Sequence, residues 1–138
     1  MTFTLNLCPK STQFGKRVMV RNGKPIFFSD SKKTNYQASV ALLANEHRPS
    51  SPMKGAIYIS LRFILPRPKC LMSAKHKEGL LLCDKRPDWD NLSKGTIDAL
   101  TQCGFWSDDG QIASATIQKW YAEKKGNPRI EVIIIPTL

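Results

Sequence analysis

The segment from Gly55 to Leu65 constrains the fold more than any other part of the chain. Apolar side chains occupy every second position there, at Ile57, Ile59, Leu61, Phe63 and Leu65. Successive side chains of a strand point to opposite faces, so this alternation predicts a strand with one continuously apolar face. Such a face must be covered, and 138 residues are enough for one domain, spanning 1–138, that covers it.

The other elements follow from periodicity and turn chemistry. Strands are predicted at residues 3–7, 17–21, 26–28, 112–122 and 129–135, and helices at about 31–46 and 90–103. Asn22-Gly23 predicts a hairpin turn, since both central positions of a type I′ turn need positive φ. Ser29-Asp30-Ser31 offers N-caps for the first helix, and Gly104 ends the second.

The apolar run Ile130 to Ile135 is typical of a strand buried on both faces. Strands interleaved with two helices predict an α+β fold, a mixed β-sheet with two packed helices.

The charge of the chain favours nucleic acid as its partner. Lys and Arg number 21 against 11 Asp and Glu, giving a net charge of +10, and such cations gain affinity by releasing phosphate counterions. No run approaches the roughly 18 apolar residues of a membrane span, and no basic amphipathic helix is evident. We also find no signal-peptide pattern, so we expect a cytoplasmic protein without membrane contact.

The four cysteines fit a reducing compartment. They form no C-x-x-C pair, and we expect reduced thiols in or near the core. Cys70, His76 and Cys83 could be read as a zinc site, but their spacing matches no common zinc pattern.

Residues 66–86 predict a long basic loop, with a short helical turn near its centre. A loop of this length suggests binding or mobility. We predict that its cations contact DNA phosphates: Arg67, Lys69, Lys75, Lys77, Lys85 and Arg86. Lys16, Arg17, Lys32 and Lys33 are the next candidates. Such contacts position DNA but carry little base-sequence information.

The scarce carboxylates are concentrated in one stretch. Five of the 11 acidic residues fall between Asp88 and Asp109. If the chain enters the second helix extended, Asp88 and Asp90 share a side, and a strand running back along the helix would bring Asp109 to them. Three converging carboxylates suit Mg²⁺, with Mn²⁺ as an alternative. Lys94, one turn after Asp90, could stabilise charge on a reacting phosphate.

Ordinary structural roles compete with this interpretation. Asp90 could be a helix N-cap, Asp88 could pair with Arg86 on the surface, and Asp108-Asp109-Gly110 is common turn chemistry. A D-x-D pattern by itself is weakly specific. We expect Trp89, between the two acids, to have a packing role. The alternative is that it stacks on an opened base.

The combined motifs are more specific than their parts. Pro87-Asp88-Trp89-Asp90-Asn91-Leu92-x-Lys94, Ile97-Asp98-Ala99-Leu100 and Gly104-Phe105-Trp106-x-Asp108-Asp109-x-Gln111-Ile112 resemble the RusA family of Holliday-junction resolvases. The resemblance is weaker before residue 80, and Trp89 stands where the family usually has an apolar residue.

The resemblance implies a small homodimeric endonuclease that cuts four-way DNA junctions with a divalent metal. Its metal-binding acids would be Asp88, Asp90 and Asp109 and its active-site lysine Lys94, with Asn91 and Asp98 in supporting positions. Cleavage would leave a 5′ phosphate and a 3′ hydroxyl. Two sites related by a two-fold axis suit a near-symmetric junction. The strands 112–122 and 129–135 are candidates for the dimer contact.

Three alternatives remain open from the sequence. The chain could be a non-catalytic basic DNA- or RNA-binding module, a nuclease for other branched DNA such as flaps and forks, or a prophage protein whose acidic cluster docks a protein partner.

Overall fold

The computed structural model describes residues 1–11, 17–28 and 31–137. The strands are β1 (Thr2–Leu5), β2 (Arg17–Arg21), β3 (Lys24–Phe28), β4 (Ala56–Leu65), β5 (Leu81–Leu82), β6 (Ile112–Tyr121) and β7 (Arg129–Thr137), and the helices are α1 (Ser31–Asn45) and α2 (Trp89–Cys103). Short 3-10 helices lie at Lys69–Leu71 and Asp109–Gln111. Each predicted strand and helix is present, with ends shifted by a few residues. The predicted caps Ser29 and Asp30 lie outside the described residues.

Five strands form a mixed sheet in the order β1-β7-β4-β6-β5. β6 runs parallel to β4, whereas β7 runs antiparallel to both β4 and β1. β2 and β3 form a separate antiparallel hairpin. Its turn has φ of 52° at Asn22 and 73° at Gly23, which confirms the turn predicted there. The predicted α+β fold with a mixed sheet and two helices is therefore confirmed.

Both helices contribute to one core on one face of the sheet. From β4, Ile57, Ile59, Leu61 and Phe63 are fully buried, as their alternation predicts. They lie in one cluster with residues from α1 and α2: Tyr36, Val40, Ala44, Leu92, Ala99 and Leu100.

The prediction that β7 is buried on both faces is wrong. Ile130, Val132 and Ile134 are buried, but Ile133 and Ile135 are 36% and 47% exposed. The strand is therefore buried on one face, because both helices pack on the same side. Near one end of the other face, Arg62 lies over the Trp120 ring at 5.3 Å and pairs with Glu131 at 3.0 Å.

α2 forms the crossover between the parallel strands β4 and β6, and this connection sets its direction. Gly104, with φ of 89°, ends the helix, and its N–H donates to the carbonyls of Leu100 and Thr101. The chain then reverses into β6, whose far end returns to the beginning of α2. None of the helices in the described residues is long and apolar enough to cross a membrane.

Candidate active site

The first turn of α2 carries two acidic side chains. Asp88 occupies the N-cap position in extended conformation, but its side chain makes no capping hydrogen bond. Asp90 lies inside the first turn, where its Oδ1 accepts from the Asn91 N–H at 3.0 Å. The alternative that Asp90 is a helix N-cap is wrong, because Asp88 occupies that position. The predicted strand-like alternation of the two acids is wrong as well, because Asp90 is already helical. Both acids still lie at the N-terminal end of α2, where the helix dipole favours negative charge.

Lys94 and Asp98 lie on successive turns of the same helix. The Lys94 Nζ is 3.8 Å from an Asp98 carboxylate oxygen, and the Lys94 side chain is exposed. An exposed i,i+4 pair is worth only about 0.3–0.5 kcal/mol, so Lys94 is easily released to another anion. Trp89 is 57% exposed, so the packing interpretation of this residue is wrong.

Lys119, near the end of β6, holds the segment that leads into α2. Its Nζ donates to the Lys85 carbonyl at 2.5 Å and to the Pro87 carbonyl at 2.9 Å. An ammonium has three donors, so this side chain fixes the backbone next to Asp88 and places a positive charge there. Sequence reasoning did not single out Lys119. The sequence feature that could have identified it is that Lys119 is the only charged residue of the strand Ile112–Tyr121.

The Asp108-Asp109 pair lies at the opposite end of α2. The Asp108 carboxylate accepts from the Gly110 N–H, and the Gln111 side chain closes a capping box. The hydrogen bond from the Gly110 N–H lowers the pKa of Asp108. The turn is tied to the start of β4, because Gln111 Nε2 donates to the carbonyls of Met53 and Gly55. Asp108 thus has the predicted turn role, whereas Asp109 remains exposed.

Within one chain the three predicted metal ligands do not converge. α2 has 15 residues, so its ends are about 22 Å apart. β6 does return along the helix, as expected, but Asp109 precedes its first residue, and it is Lys119 that the return brings to Pro87. The described residues contain no group of three or more acidic, His or Cys side chains that could hold an ion. The prediction of convergence within a single chain is therefore wrong.

The basic loop 66–86 is folded around two inward-pointing cations. The Arg67 guanidinium donates to the carbonyls of Leu71, Lys77, Gly79 and Ala122. The side chain of Lys124 is 10% exposed, and its Nζ bonds the Ser73 carbonyl at 2.9 Å and pairs with Glu78 at 3.3 Å. Each charge-assisted bond is worth about 1.5 kcal/mol or more, so freeing Arg67 would cost several kcal/mol. Arg67 therefore organises the loop, and its contact with DNA stays a prediction.

The other predicted cations of the loop point outward. All five are exposed, and none forms an ion pair within the described residues: Lys69, Lys75, Lys77, Lys85 and Arg86. A helical turn is present, but it lies at Lys69–Leu71, near the start of the loop and not near its centre as predicted. Lys16 and the side chains of Arg17, Lys32 and Lys33 lie outside what the structure describes.

The cysteines are free thiols in the described residues. Cys83 is buried beside Tyr121 and Leu65, as expected of a small apolar residue, whereas Cys70 is exposed. A hydrogen bond with the Cys83 thiol, followed by burial, raises the pKa of Tyr121 to about 12. These contacts are those of a small core cluster.

The chain is similar to known proteins. The endodeoxyribonuclease RusA family matches residues 9–135. The chain belongs to the RusA family. The uncharacterised protein YqaN of Bacillus subtilis strain 168 is 33% identical over 139 residues, covering 92% of this chain and 95% of YqaN. The crossover junction endodeoxyribonucleases of Enterobacteria phage 82 and Escherichia coli K12 are each 44% identical over 50 residues. Those matches cover 36% of this chain and 40% of each enzyme.

Two of the predicted ligands fit a divalent cation in this RusA family member. Mg²⁺ is commonly held by one or two carboxylates, with waters and substrate phosphates completing its shell. Asp88 forms no capping bond, and Asp90 is exposed in the adjacent turn. The N-terminal end of α2 therefore offers oxygen donors of the required kind, and Asp109 of the same chain does not add to them.

Proposed function

We propose that this chain is a metal-dependent endonuclease that resolves four-way (Holliday) DNA junctions in recombination and repair, and that it acts as a homodimer. Membership of the RusA family and the names of the phage 82 and E. coli relatives support the substrate class. One structural observation carries the proposal: exposed carboxylates at the start of α2 adjoin a folded loop of outward-pointing cations. That combination suits a cation held against a polyanion.

Asp88 and Asp90 would hold Mg²⁺, or Mn²⁺ in its place. When bound, such an ion supplies positive charge beside the scissile phosphate and makes water more acidic. Lys119 would keep the approach to Asp88 in a fixed position through its bonds to the Lys85 and Pro87 carbonyls.

Asp109 would act at the same site only from a second copy of the chain. It lies beyond the far end of its own α2, which is about 22 Å long, whereas a two-fold axis passing beside the middle of the helix sets each end of α2 next to the opposite end of its copy. A homodimer would then have two equivalent sites, each with Asp88 and Asp90 of one protomer and Asp109 of its partner. Two sites related by that axis match the near two-fold symmetry of a four-way junction.

The reaction would be hydrolysis of one phosphodiester bond in each of two opposed strands. A water oxygen forms the new bond to phosphorus, the bond from phosphorus to the 3′ oxygen breaks, and that oxygen leaves with a proton. The products are a 5′ phosphate and a 3′ hydroxyl. Lys94 would contact the phosphate as charge develops, which requires only that its weak pairing with Asp98 open.

The outward cations of the loop would seat the DNA backbone: Lys69, Lys75, Lys77, Lys85 and Arg86. Arg67 would contribute indirectly by holding that loop in one conformation. Trp89, exposed between the two acids, would stack on a base opened at the branch point.

The decisive experiment is cleavage of a synthetic four-way junction by the full chain, with Mg²⁺ or with EDTA. We expect paired incisions in opposed strands that DNA ligase can reseal, and no incision in EDTA. The Asp90→Asn variant should bind the junction and leave it uncut. Tight binding without cleavage by the unaltered chain at any Mg²⁺ or Mn²⁺ concentration would instead identify a non-catalytic DNA-binding module.

A second candidate is a nuclease for branched DNA in general, including flaps and forks. This candidate stands because the match to the named junction endonucleases covers only part of this chain and of each enzyme. Competition for one enzyme preparation among a four-way junction, a fork and a linear duplex distinguishes the two. Equal cleavage of fork and junction would support the broader enzyme.

A further inference from the structure

The outer edge of β6 is unpaired over most of its length. β5, its outer neighbour, pairs with β6 only at Trp120 and Tyr121, and the Cys83 N–H adds one bond to the Lys119 carbonyl. From Ile112 to Gln118, no other described residue forms a backbone hydrogen bond on this side. β6 is thus a long edge strand over these residues.

Backbone direction shows which groups this edge offers. The Lys119 carbonyl faces outward to Cys83, whereas the Ala122 N–H faces inward to the Leu65 carbonyl of β4. Since alternate residues of a strand bond to opposite sides, the N–H and C=O groups of Ile117 and Ala115 face outward. The irregularity in the β4–β6 register lies at the start of the strand, opposite Ile57 and Tyr58, and leaves Ser114 to Gln118 regular.

The side chains along this edge do nothing to prevent pairing. Ala113, Ser114, Ala115 and Thr116 are exposed, small and uncharged. Folded proteins usually protect such edges with Lys, Pro or a very short strand. The other edge of the sheet, β1, is short, with four residues. The long β6 edge therefore has the features of a strand that pairs with another chain.

We propose that the free edge of β6 pairs antiparallel with the same edge of a second copy, joining two five-stranded sheets about a two-fold axis. An edge strand is complementary to itself under such an axis. The charges agree as well, because Asp109 precedes the free edge and Lys119 follows it, so antiparallel pairing sets the acidic end of one copy beside the basic end of the other. Both strands are already ordered in their sheets, so little conformational entropy opposes the pairing. This inference rests on the homodimer of the proposed function and identifies its interface.

Proline substitution tests the edge in the full chain. Ala115→Pro removes one outward N–H without removing a bond to β4, since edge positions tolerate proline. The matched control is Thr4→Pro on β1. Met1 and Ile134 exchange hydrogen bonds, so the alternating N–H of Thr4 also faces outward. Sedimentation equilibrium over a range of concentrations should show dimers for the unaltered chain and for Thr4→Pro. Ala115→Pro should remain monomeric at concentrations where both are dimeric, with unchanged circular dichroism.

Cross-linking keeps the test decisive if Ala115→Pro fails to fold. In a Cys70→Ser background, which removes the exposed thiol, Thr116→Cys lies near the expected axis and should form a disulfide-linked dimer on mild oxidation. Thr4→Cys in the same background should not.

Each outcome is informative for the interface or for the activity. A monomeric unaltered chain at all concentrations, or a dimer that persists in folded Ala115→Pro and does not cross-link through Thr116→Cys, would overturn the β6 interface. A dimer that cross-links through Thr116→Cys upholds the interface even if the protein cuts no junction with Mg²⁺. In that case the proposed function fails and the interface stands.

Discussion

The two ends of α2 both carry acidic side chains, but the surroundings of those acids differ. At the N-terminal end, Asp88 and Asp90 are exposed, Lys119 anchors the adjacent backbone, and the outward cations of the basic loop precede the two acids in the chain. At the C-terminal end, Asp108 is engaged in a capping box and Asp109 is exposed beside it. The two ends are about 22 Å apart.

This difference separates acids that shape the chain from acids available for chemistry. Asp108 is used locally to start the turn that leads into β6. Asp88, Asp90 and Asp109 have exposed side chains, but they lie at opposite ends of one helix. If all three acids act at one site, as the proposed function has it, that site needs two copies of the chain.

The largest expected effect comes from neutralising the available acids. Asp90→Asn and Asp109→Asn should each reduce junction cleavage by about 1,000-fold, equivalent to ~4 kcal/mol of barrier, because each removes a charged ligand. Asp108→Asn should retain most activity, as should the control Asp84→Asn in the exposed part of the loop. Initial cleavage rates at saturating enzyme measure this. Near-normal turnover of Asp109→Asn would remove that residue from the site.

A mixing experiment tests whether one site uses acids from two copies. Asp90→Asn and Asp109→Asn should each be inactive alone, but their heterodimer would have one site with both lesions and one intact site. After random exchange of subunits, about a quarter of the sites should be intact, and the mixture should nick one strand of the junction. An inactive mixture, with heterodimers verified by two affinity tags, would mean that each chain supplies all its own ligands.

A smaller effect is expected from the side chain that positions the acidic end. Lys119→Met keeps the aliphatic stem but loses both bonds to the Lys85 and Pro87 carbonyls. We expect about 10- to 100-fold slower cleavage, because small displacements of reacting groups are costly. The Mg²⁺ concentration for half-maximal rate should rise, while junction affinity changes little. Lys119→Arg should recover part of the rate, and Lys125→Met, exposed on the surface, should have none of these effects.

The smallest effect concerns stability at the other end of the helix. The hydrogen bond from the Gly110 N–H lowers the pKa of Asp108. A lowered folded-state pKa stabilises the fold above the ordinary carboxyl pKa, and this stabilisation is lost as pH falls through the folded value. Asp108→Asn should therefore melt slightly below the unaltered chain at neutral pH, and the gap should close in acid. Melting curves of both proteins measured from neutral pH to strong acid provide the check, and a gap that widens on acidification would contradict it.

The elements of the fold were predictable because their causes are local. The alternation from Ile57 to Leu65 gave a strand with one buried face, Asn22-Gly23 a tight turn, and Gly104 a helix end. The motif acids and the excess of basic residues were also readable, since they depend on identity and spacing along the chain. These features led to the α+β fold and to the RusA family.

Only the tertiary structure decided which side chains meet. Arg67 resembles its basic neighbours in sequence, but it points inward because its guanidinium donates to three carbonyls of the folded loop and to the carbonyl of Ala122. β7 was expected to be buried on both faces, but both helices pack on one face of its sheet. Lys119 reaches Pro87, and Asp109 does not reach Asp88, because a parallel crossover places the end of β6, and not its start, beside the beginning of α2. Local spacing determines secondary structure, whereas the direction in which helices and strands pack determines which distant residues share a site.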